Sequence, residues 1–425
     1  MKILFIACYS PLINNSASIE TLQYLNNLAN INNNEIHLLT VNFPKNSIYY
    51  DEYIFNMLDK KIKLHIISGG KFFEKVMPKK NKDSNKNNIK KVSFKNRLLR
   101  KIKNAVAVPD MYYYWSIKAS KYGIKLMEKE NFDIMFSMHE PPSSHICAYN
   151  IKKKYRRLKW ITYWSDPWTK DSTRENISPI RRKFEVRYER KVLESSDKLI
   201  FVTKENREDY VKTYNIDKEN TYLITRGYDE DLYNEIALER KPELINDKRI
   251  NIVYAGEIFT KLRDIRPFIS AIERLREENI DFFNKLNILF FGNIDDENIK
   301  NKLSSIENVT VSHRIPYKKA LSYMINSDIL LLFGNKNSKQ IPAKIYDYFG
   351  CNGYILVILG DETDPITSVT KDKDKCTVIM NEEEEIIKSI KEVSEKIMEG
   401  KKSSPITEYE WKNISYKLNK ILEGE

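Results

Sequence analysis

The sequence predicts an α/β protein built from two Rossmann-like domains with parallel sheets. Three observations carry this. Apolar runs of strand length alternate with segments of helical period along most of the chain. The runs are near-continuous instead of alternating, as expected of parallel strands buried on both faces. The pattern comes in two blocks within 425 residues, a length that suits two domains.

The first block opens with the run 2–8 (KILFIAC), followed by Ile19, Leu22, Leu25 and Leu28 at helical spacing. Strands are predicted at 35–41 and 63–67. Residues 82–91 (KDSNKNNIKK) lack apolar period and read as a flexible insertion. Phe94, Leu98, Leu99 and Ile102 mark a short basic amphipathic helix. Strands at 132–138 and 160–164 flank a helix at 144–154, and a long helix covers about 181–194. Strands 198–203 and 221–225 close the block. The second block has strands at 250–255, 286–291, 309–312, 329–333, 354–358 and 377–380. The boundary lies near 228–242, giving domains 1–228 and 229–405. In the terminal segment 406–425, Tyr409, Ile414, Leu418, Ile421 and Leu422 line one stripe of a final helix.

Charge is concentrated in one segment. The chain has 71 Lys+Arg against 59 Asp+Glu, a net +12. Residues 71–104 hold 13 of the cations and two acids, a net +11, so the remainder is near neutral. That distribution suggests a local docking surface and argues against nucleic acid, which no aromatic RNA-type motif supports. No window reaches the roughly 18 apolar residues of a membrane span. The first run reads as a buried strand and not as a cleaved signal. Cys8, Cys147, Cys351 and Cys376 are scattered, with no pair at zinc or redox spacing, which fits a reducing cytosol.

In open parallel sheets, ligands bind beyond the carboxyl ends of the strands. The loops just after strands are therefore the candidate sites. Asn14, Asn15 and Ser16 follow the first strand without the glycines of a phosphate cradle, and Ser16 or Ser18 can cap the next helix. His139-Glu140-Pro141-Pro142 follows the strand ending at Met138. Trp164-Ser165-Asp166-Pro167-Trp168 follows the next; its indoles suit sugar rings or lipid, or form a Trp-lined core capped by Asp166. In the second block Gly256 directly follows a strand, where a glycine permits close ligand approach. Lys261 and Arg263 would supply cations for a phosphate. After 329–333, Ser338 or a neighbour caps a helix with Pro342 in its first turn, an arrangement that favours an anion. Lys344 adds charge, and Asp347 can accept two hydrogen bonds from a ribose diol.

Pro342-Ala343-Lys344-Ile345-Tyr346-Asp347-Tyr348 resembles the Pro-x-Lys-x-x-Glu-Tyr segment of retaining family 4 glycosyltransferases. Other landmarks follow in order: the loop after the first strand, His139-Glu140-Pro141, Ser165-Asp166-Pro167-Trp168, Arg226-Gly227-Tyr228-Asp229, Gly256 with Arg263-Asp264, and a terminal helix carrying Trp411. The resemblance implies the GT-B fold, with its two Rossmann-like domains facing a central cleft and a terminal helix packing back toward the N-terminal domain. It implies that Gly256, Lys261, Arg263, Ile341, Pro342, Ala343, Lys344 and Asp347 bind a nucleotide-sugar donor. His139, Asp166 and Arg263 would be catalytic. Asn14, Asn15, Ser16, Trp164 and Trp168 would lie on the acceptor side.

The implied activity is retaining, metal-independent transfer of a sugar to a glycan or lipid-linked acceptor, in cell-surface polysaccharide or glycolipid synthesis. No cofactor is implied; the nucleotide sugar is a substrate. The expected place is the cytoplasm, peripheral to the inner face of the cell membrane, with residues 71–104 on its anionic surface. This sequence departs from the family where Asn14-Asn15 replaces a Gly-Gly pair, Glu257 replaces an Arg, and Lys339 replaces the first acid of a paired motif. Those departures keep open a sugar-nucleotide epimerase of the same fold and a non-catalytic nucleotide-sugar-binding protein. Asp229-Glu230-Asp231 spells a metal motif, but its hinge position argues against metal binding.

Overall fold

β1 (Lys2–Ile6) is buried from Ile3 onward, because it lies in the middle of a sheet with a parallel neighbour on each side. The computed structural model describes residues 1–79, 108–171 and 177–425. The predicted insertion 82–91 and the basic amphipathic helix around 94–102 lie outside the described residues. The chain divides into one unit of Met1–Thr225 with Ser415–Glu425 and a second of Arg226–Ile414.

In the first unit β2 (Glu35–Asn42), β3 (Lys63–Ser68), β4 (Ile134–Met138), β5 (Lys159–Trp164), β6 (Lys198–Phe201) and β7 (Thr221–Leu223) join β1 in the order β3-β2-β1-β4-β5-β6-β7. Every pairing is parallel. Phe5 sits beside Leu38 on one side and Phe136 on the other. Leu4, Ile6, Leu39, Trp115, Trp160 and Trp164 belong to the core cluster of this unit.

The second unit repeats the plan. β8 (Ile250–Ala255), β9 (Leu286–Phe291), β10 (Val309–Ser312), β11 (Ile329–Phe333), β12 (Tyr354–Ile358) and β13 (Cys376–Ile379) are ordered β10-β9-β8-β11-β12-β13 and all parallel. Ile252, Tyr254, Phe268, Phe290, Leu331 and Ile358 belong to its core.

In each sheet the strand order reverses once, between β1 and β4 and between β8 and β11. At those two points successive crossovers leave in opposite directions, and a crevice opens at the carboxyl ends of the strands. The His139 and Arg263 loops both start there.

The described strands agree with those read from the sequence to within two residues at most ends. Two helix starts differ. The helix Ser16–Ala29 is capped by Asn15, whose side chain accepts from Ser18 N at 2.7 Å, and not by Ser16 or Ser18. The last helix is Trp411–Glu423, preceded by a separate 3-10 turn at Thr407–Tyr409. Its last part belongs to the first unit, where Asn34 donates to Asn419 at 2.9 Å and Lys198 donates to the Ile421 carbonyl at 3.1 Å. Among the described residues no helix is long and apolar enough to cross a membrane.

Candidate functional site

The second unit holds the more charged site. Beyond β8 the chain turns at Gly256, whose N–H donates to the Phe291 carbonyl at 2.7 Å. The Arg263 guanidinium folds back on this loop. Its Nη1 donates to the Glu257 carbonyl at 2.7 Å and lies 3.4 Å from the Tyr254 hydroxyl. Its Nε donates to Asn335 Oδ1, on the loop after β11, at 2.9 Å. Lys336 N donates to the Leu262 carbonyl at 2.8 Å. The two loops flanking the crevice are thus tied together. A small cavity lies there, lined by Lys261, Arg263, Gly334, Lys336, Gly360 and Asn381 among others. Three of these six residues are cations. Asp264 also lines the cavity, but Arg266 engages its carboxylate at 2.6 Å, which leaves three cations against one paired acid. The field in the cavity therefore suits an anion.

Gly256 has a different role from the one its position suggests. A Cβ there would lie 2.5 Å from Lys344 Cε, so the glycine makes room for the lysine stem. Burial lowers the Lys344 pKa from its ordinary value; Asp347 opposes the shift, while Arg263 and Arg314 add to it. Asp347 is half-buried, and burial raises its carboxyl to about 6 against the pull of Lys344, Arg226 and the Tyr233 hydroxyl. Tyr233 OH lies 3.2 Å from the Asp347 carbonyl and 3.5 Å from its Oδ1.

The expected capped helix around Pro342 is corrected. The helix is only Lys344–Phe349, with Ala343 at its start and no side-chain cap. Ser338 Oγ accepts from Gln340 N at 3.1 Å, which closes a turn earlier in the loop. Ile345 N and Tyr346 N already donate to the Pro342 and Ala343 carbonyls at 3.2 and 3.1 Å. These two N–H groups are therefore committed, and so short a helix has little dipole to offer. Ile341 and Ala343 are half-buried and Pro342 is buried.

In the first unit the loops after β1 and β4 also meet. Ser144 Oγ accepts from Cys8 N at 3.0 Å. The start of the helix Ser143–Lys152 is occupied by Asp110, which accepts from Ser143 N at 2.9 Å and from its hydroxyl at 2.7 Å. His139 is 5% exposed and stacks on Trp164 at a centroid distance of 5.6 Å. His145, absent from the sequence-based candidates, packs on the same indole at 4.7 Å. Burial lowers the His145 pKa to about 3, so its ring is neutral and buttresses His139. Glu140 has φ 72, a left-handed conformation that costs a non-glycine residue about 1 kcal/mol or more.

Trp164 and Trp168 are corrected from acceptor-side platforms to core residues. Both are 0% exposed. Trp164 Nε1 donates to Thr162 Oγ1 at 2.9 Å, and Trp168 Nε1 donates to Glu185 Oε2 at 3.1 Å. With their faces covered by His139, His145 and Tyr210, the indoles present no surface to a sugar. Asp166 between them remains half-buried. After β1, Asn14 donates to Asp51 Oδ2 at 3.2 Å, Asn15 is the helix cap described above, and Ser16 is exposed.

The Asp-x-Asp segment does structural work. Asp229 caps the helix Glu230–Ala237, accepting from Leu232 N at 3.1 Å, and Asp231 pairs with Lys412 at 2.8 Å. Among the described residues one trio, Glu35, His37 and Glu130, brings its ligand atoms within 4.8 Å of one another. Lys63 lies 2.5 Å from Glu35 and Lys2 lies 2.5 Å from Glu130, so ammonium groups already neutralise both carboxylates.

Lys336, Asn335, Asn381 and Tyr233 complete the second site and were not singled out from sequence. Lys336 and Asn335 stand on a strand-end loop that the topology rule already marks. Asn381 likewise follows a strand, β13, whereas Tyr233 reaches the site from a distant helix, with no local signal.

Residues 78–232 match the sequence model of Glycosyltransferase Family 4. No curated protein matches the chain in sequence. Among solved structures, a glycosyltransferase from Rickettsia africae has a TM-score of 0.63 at 12% identity, over 99% of this chain and 97% of that one. The UDP-GlcNAc 2-epimerase of Neisseria meningitidis, solved with UDP-GlcNAc, gives 0.59 at 13%, over the whole of both chains. WaaG, a glycosyltransferase involved in lipopolysaccharide biosynthesis, gives 0.56 at 12%, also over the whole of both chains. The fold is that of the GT-B glycosyltransferases, and the resemblance to family 4 stands on residues 78–232 together with that fold.

Proposed function

We propose that this chain is a glycosyltransferase that moves a sugar from a nucleotide-sugar donor, with retention and without a metal ion, to a glycan or lipid-linked acceptor in cell-surface polysaccharide or glycolipid synthesis. The observation that carries the reading is the cavity at the switch point of the second sheet, lined by Lys261, Arg263 and Lys336. A nucleotide sugar carries a diphosphate, and its departure leaves charge that must be stabilised. Three cations supply that stabilisation. Lys344 and Asp347 then serve the phosphate and the ribose. Gly256 and the 341–343 backbone bound the donor site, His139 contacts the donor sugar near the reacting carbon, and Asp166 faces the acceptor.

The proposed location is the cytoplasm, at the inner face of the cell membrane, with the basic segment 71–104 on anionic lipid. Residues 80–104 of that segment lie outside the described residues. Lys71, Lys75 and Lys79 in its described part are exposed. Phe73 in the same part is a core residue: it is 1% exposed and packs on Phe43 and Tyr112.

A panel of nucleotide sugars read by thermal shift tests the donor assignment, since a ligand that binds only the native state raises its stability. At least one nucleotide sugar is expected to raise Tm in the wild type and not in Arg263→Ala. No stabilisation by any of them would refute the reading. The likeness to the epimerase fold supports a second reading, isomerisation of the donor sugar. Incubation without acceptor separates the two: an epimerase changes the sugar's configuration, and a transferase does not.

A further inference from the structure

We propose that the outward face of the helix Pro179–Ser195 is a docking surface for an anionic lipid bilayer. The helix follows β5 and its loop, starts at a Ser178 cap and runs back along the sheet to β6. Its inward face buries Glu185, Glu189, Val192 and Leu193. At about 100° per residue, Ile180, Lys183, Phe184, Arg187 and Arg190 gather on the opposite side. All five are exposed. The acid exposed on this helix is Glu194, at the far end.

The combination selects the partner. Ile180 is 85% exposed and Phe184 37%, and they lie one turn apart. Phe184 packs on Tyr188 with the two rings tilted and their centroids 4.7 Å apart, so its ring is held at the helix surface. A polyanion such as nucleic acid would satisfy the three cations but would offer Ile180 and Phe184 nothing. A bilayer interface offers both, with headgroup charge and an apolar layer within side-chain reach.

The placement also fits. Arg181 Nη2 donates to the Pro109 carbonyl at 2.6 Å, and Trp168 Nε1 reaches Glu185 at 3.1 Å. The first turns of the helix therefore abut the loop that carries Asp166. Docking through this end would bring that loop to a membrane-borne acceptor. That purpose rests on the transferase reading; the docking itself does not.

The test is co-sedimentation of the full chain with phosphatidylcholine vesicles, with and without about one third phosphatidylglycerol. Each protein is also made with Lys79–Lys91 neutralised, so that binding by the basic segment does not mask the helix. Binding is expected to anionic vesicles only and to weaken with salt. Lys183→Gln with Arg187→Gln should weaken it by about thirtyfold, at roughly 1 kcal/mol per cation. Ile180→Ser with Phe184→Ser should weaken vesicle binding and leave binding to heparin unchanged. Wild-type vesicle binding by both double variants, each with unchanged Tm, overturns the proposal. So does equal loss of heparin and vesicle binding in the serine variant. Vesicle binding without any nucleotide-sugar binding would sink the transferase reading and leave the docking surface standing.

Discussion

Asp347→Asn is expected to stabilise the free protein at neutral pH while weakening its grip on a nucleotide sugar. Burial raises the Asp347 carboxyl from 3.8 to about 6, so the folded protein holds this proton more tightly than the unfolded chain does. The sign follows from linkage. Stabilisation by the proton is complete below about pH 4 and lost as pH rises through about 6. That rise sets the cost of the bare carboxylate at pH 7.5 at up to about 3 kcal/mol. Asn removes the charge and keeps the shape. It should therefore raise Tm by several degrees at pH 7.5 and leave it near wild type at pH 4. Binding should move the other way. A carboxylate accepts hydroxyl hydrogen bonds more strongly than a neutral amide or acid, by about 1–1.5 kcal/mol, or roughly tenfold in affinity. Wild-type affinity should thus fall as pH drops from 7.5 to 5, and Asn affinity should stay low and flat. Asp347→Glu should be the best tolerated. An intact nucleotide sugar is the right probe, because its diphosphate has no monoester proton titrating near pH 6. Thermal unfolding and calorimetric titration measure both halves. Equal nucleotide-sugar affinity in wild type and Asn variant, with no gain in Tm at pH 7.5, would refute the assignment.

Arg263→Ala should abolish donor stabilisation and also lower stability by about 1–3 kcal/mol, because it strands Asn335 Oδ1 and the Glu257 carbonyl; denaturant unfolding with and without nucleotide sugar separates the two losses. Gly256→Ala should leave Tm within a few degrees, since the new methyl clashes with the flexible Lys344 stem and otherwise meets the Tyr254 hydroxyl at 3.2 Å, yet weaken donor binding by displacing that lysine; unchanged affinity would remove Lys344 from the site. Glu189→Gln should cost about 2–4 kcal/mol in denaturant unfolding, because the buried carboxylate accepts from Thr169, Tyr210 and Tyr214 and an amide NH₂ must face one of those donors.

How much of this was legible in the sequence depends on the range of the forces involved. β8, β9, β11 and β12 end at the residues read from sequence, because a strand buried on both faces is largely apolar, and that is a local property. The loops after those strands were legible for the same reason, once the topology marked them. Loop side chains were not. Trp164 and Trp168 read in sequence either as sugar platforms or as core, since a loop has no period to show which way a ring points. Their burial is set by Glu185, His145 and Tyr210, which arrive from three separate helices. Gly256 misled in the same way: the close neighbour that demands a glycine is the Lys344 stem, 88 positions later in the chain.

The helix Lys344–Phe349 shows why motif residues alone under-describe the site. At six residues it is far too short to persist by helix propensity, and it has no side-chain cap. Packing and distant hydrogen bonds hold it instead. Ile345, Tyr346, Tyr348 and Phe349 are buried, and the Tyr348 hydroxyl donates to the Leu331 carbonyl of β11 at 3.2 Å. Beyond its other end, the buried Lys375 ammonium lies 2.5 Å from the Cys351 carbonyl and 3.2 Å from that of Ser404. Gly227 lets the backbone at Tyr409 come close enough for Tyr228 N to donate to its carbonyl at 2.9 Å. The ring of Tyr228 then packs against Gly350. Lys344 and Asp347 therefore owe their positions to Tyr348, Lys375, Gly227 and Gly350. Of these, Lys375 and Gly350 belong to none of the landmarks that first marked the site.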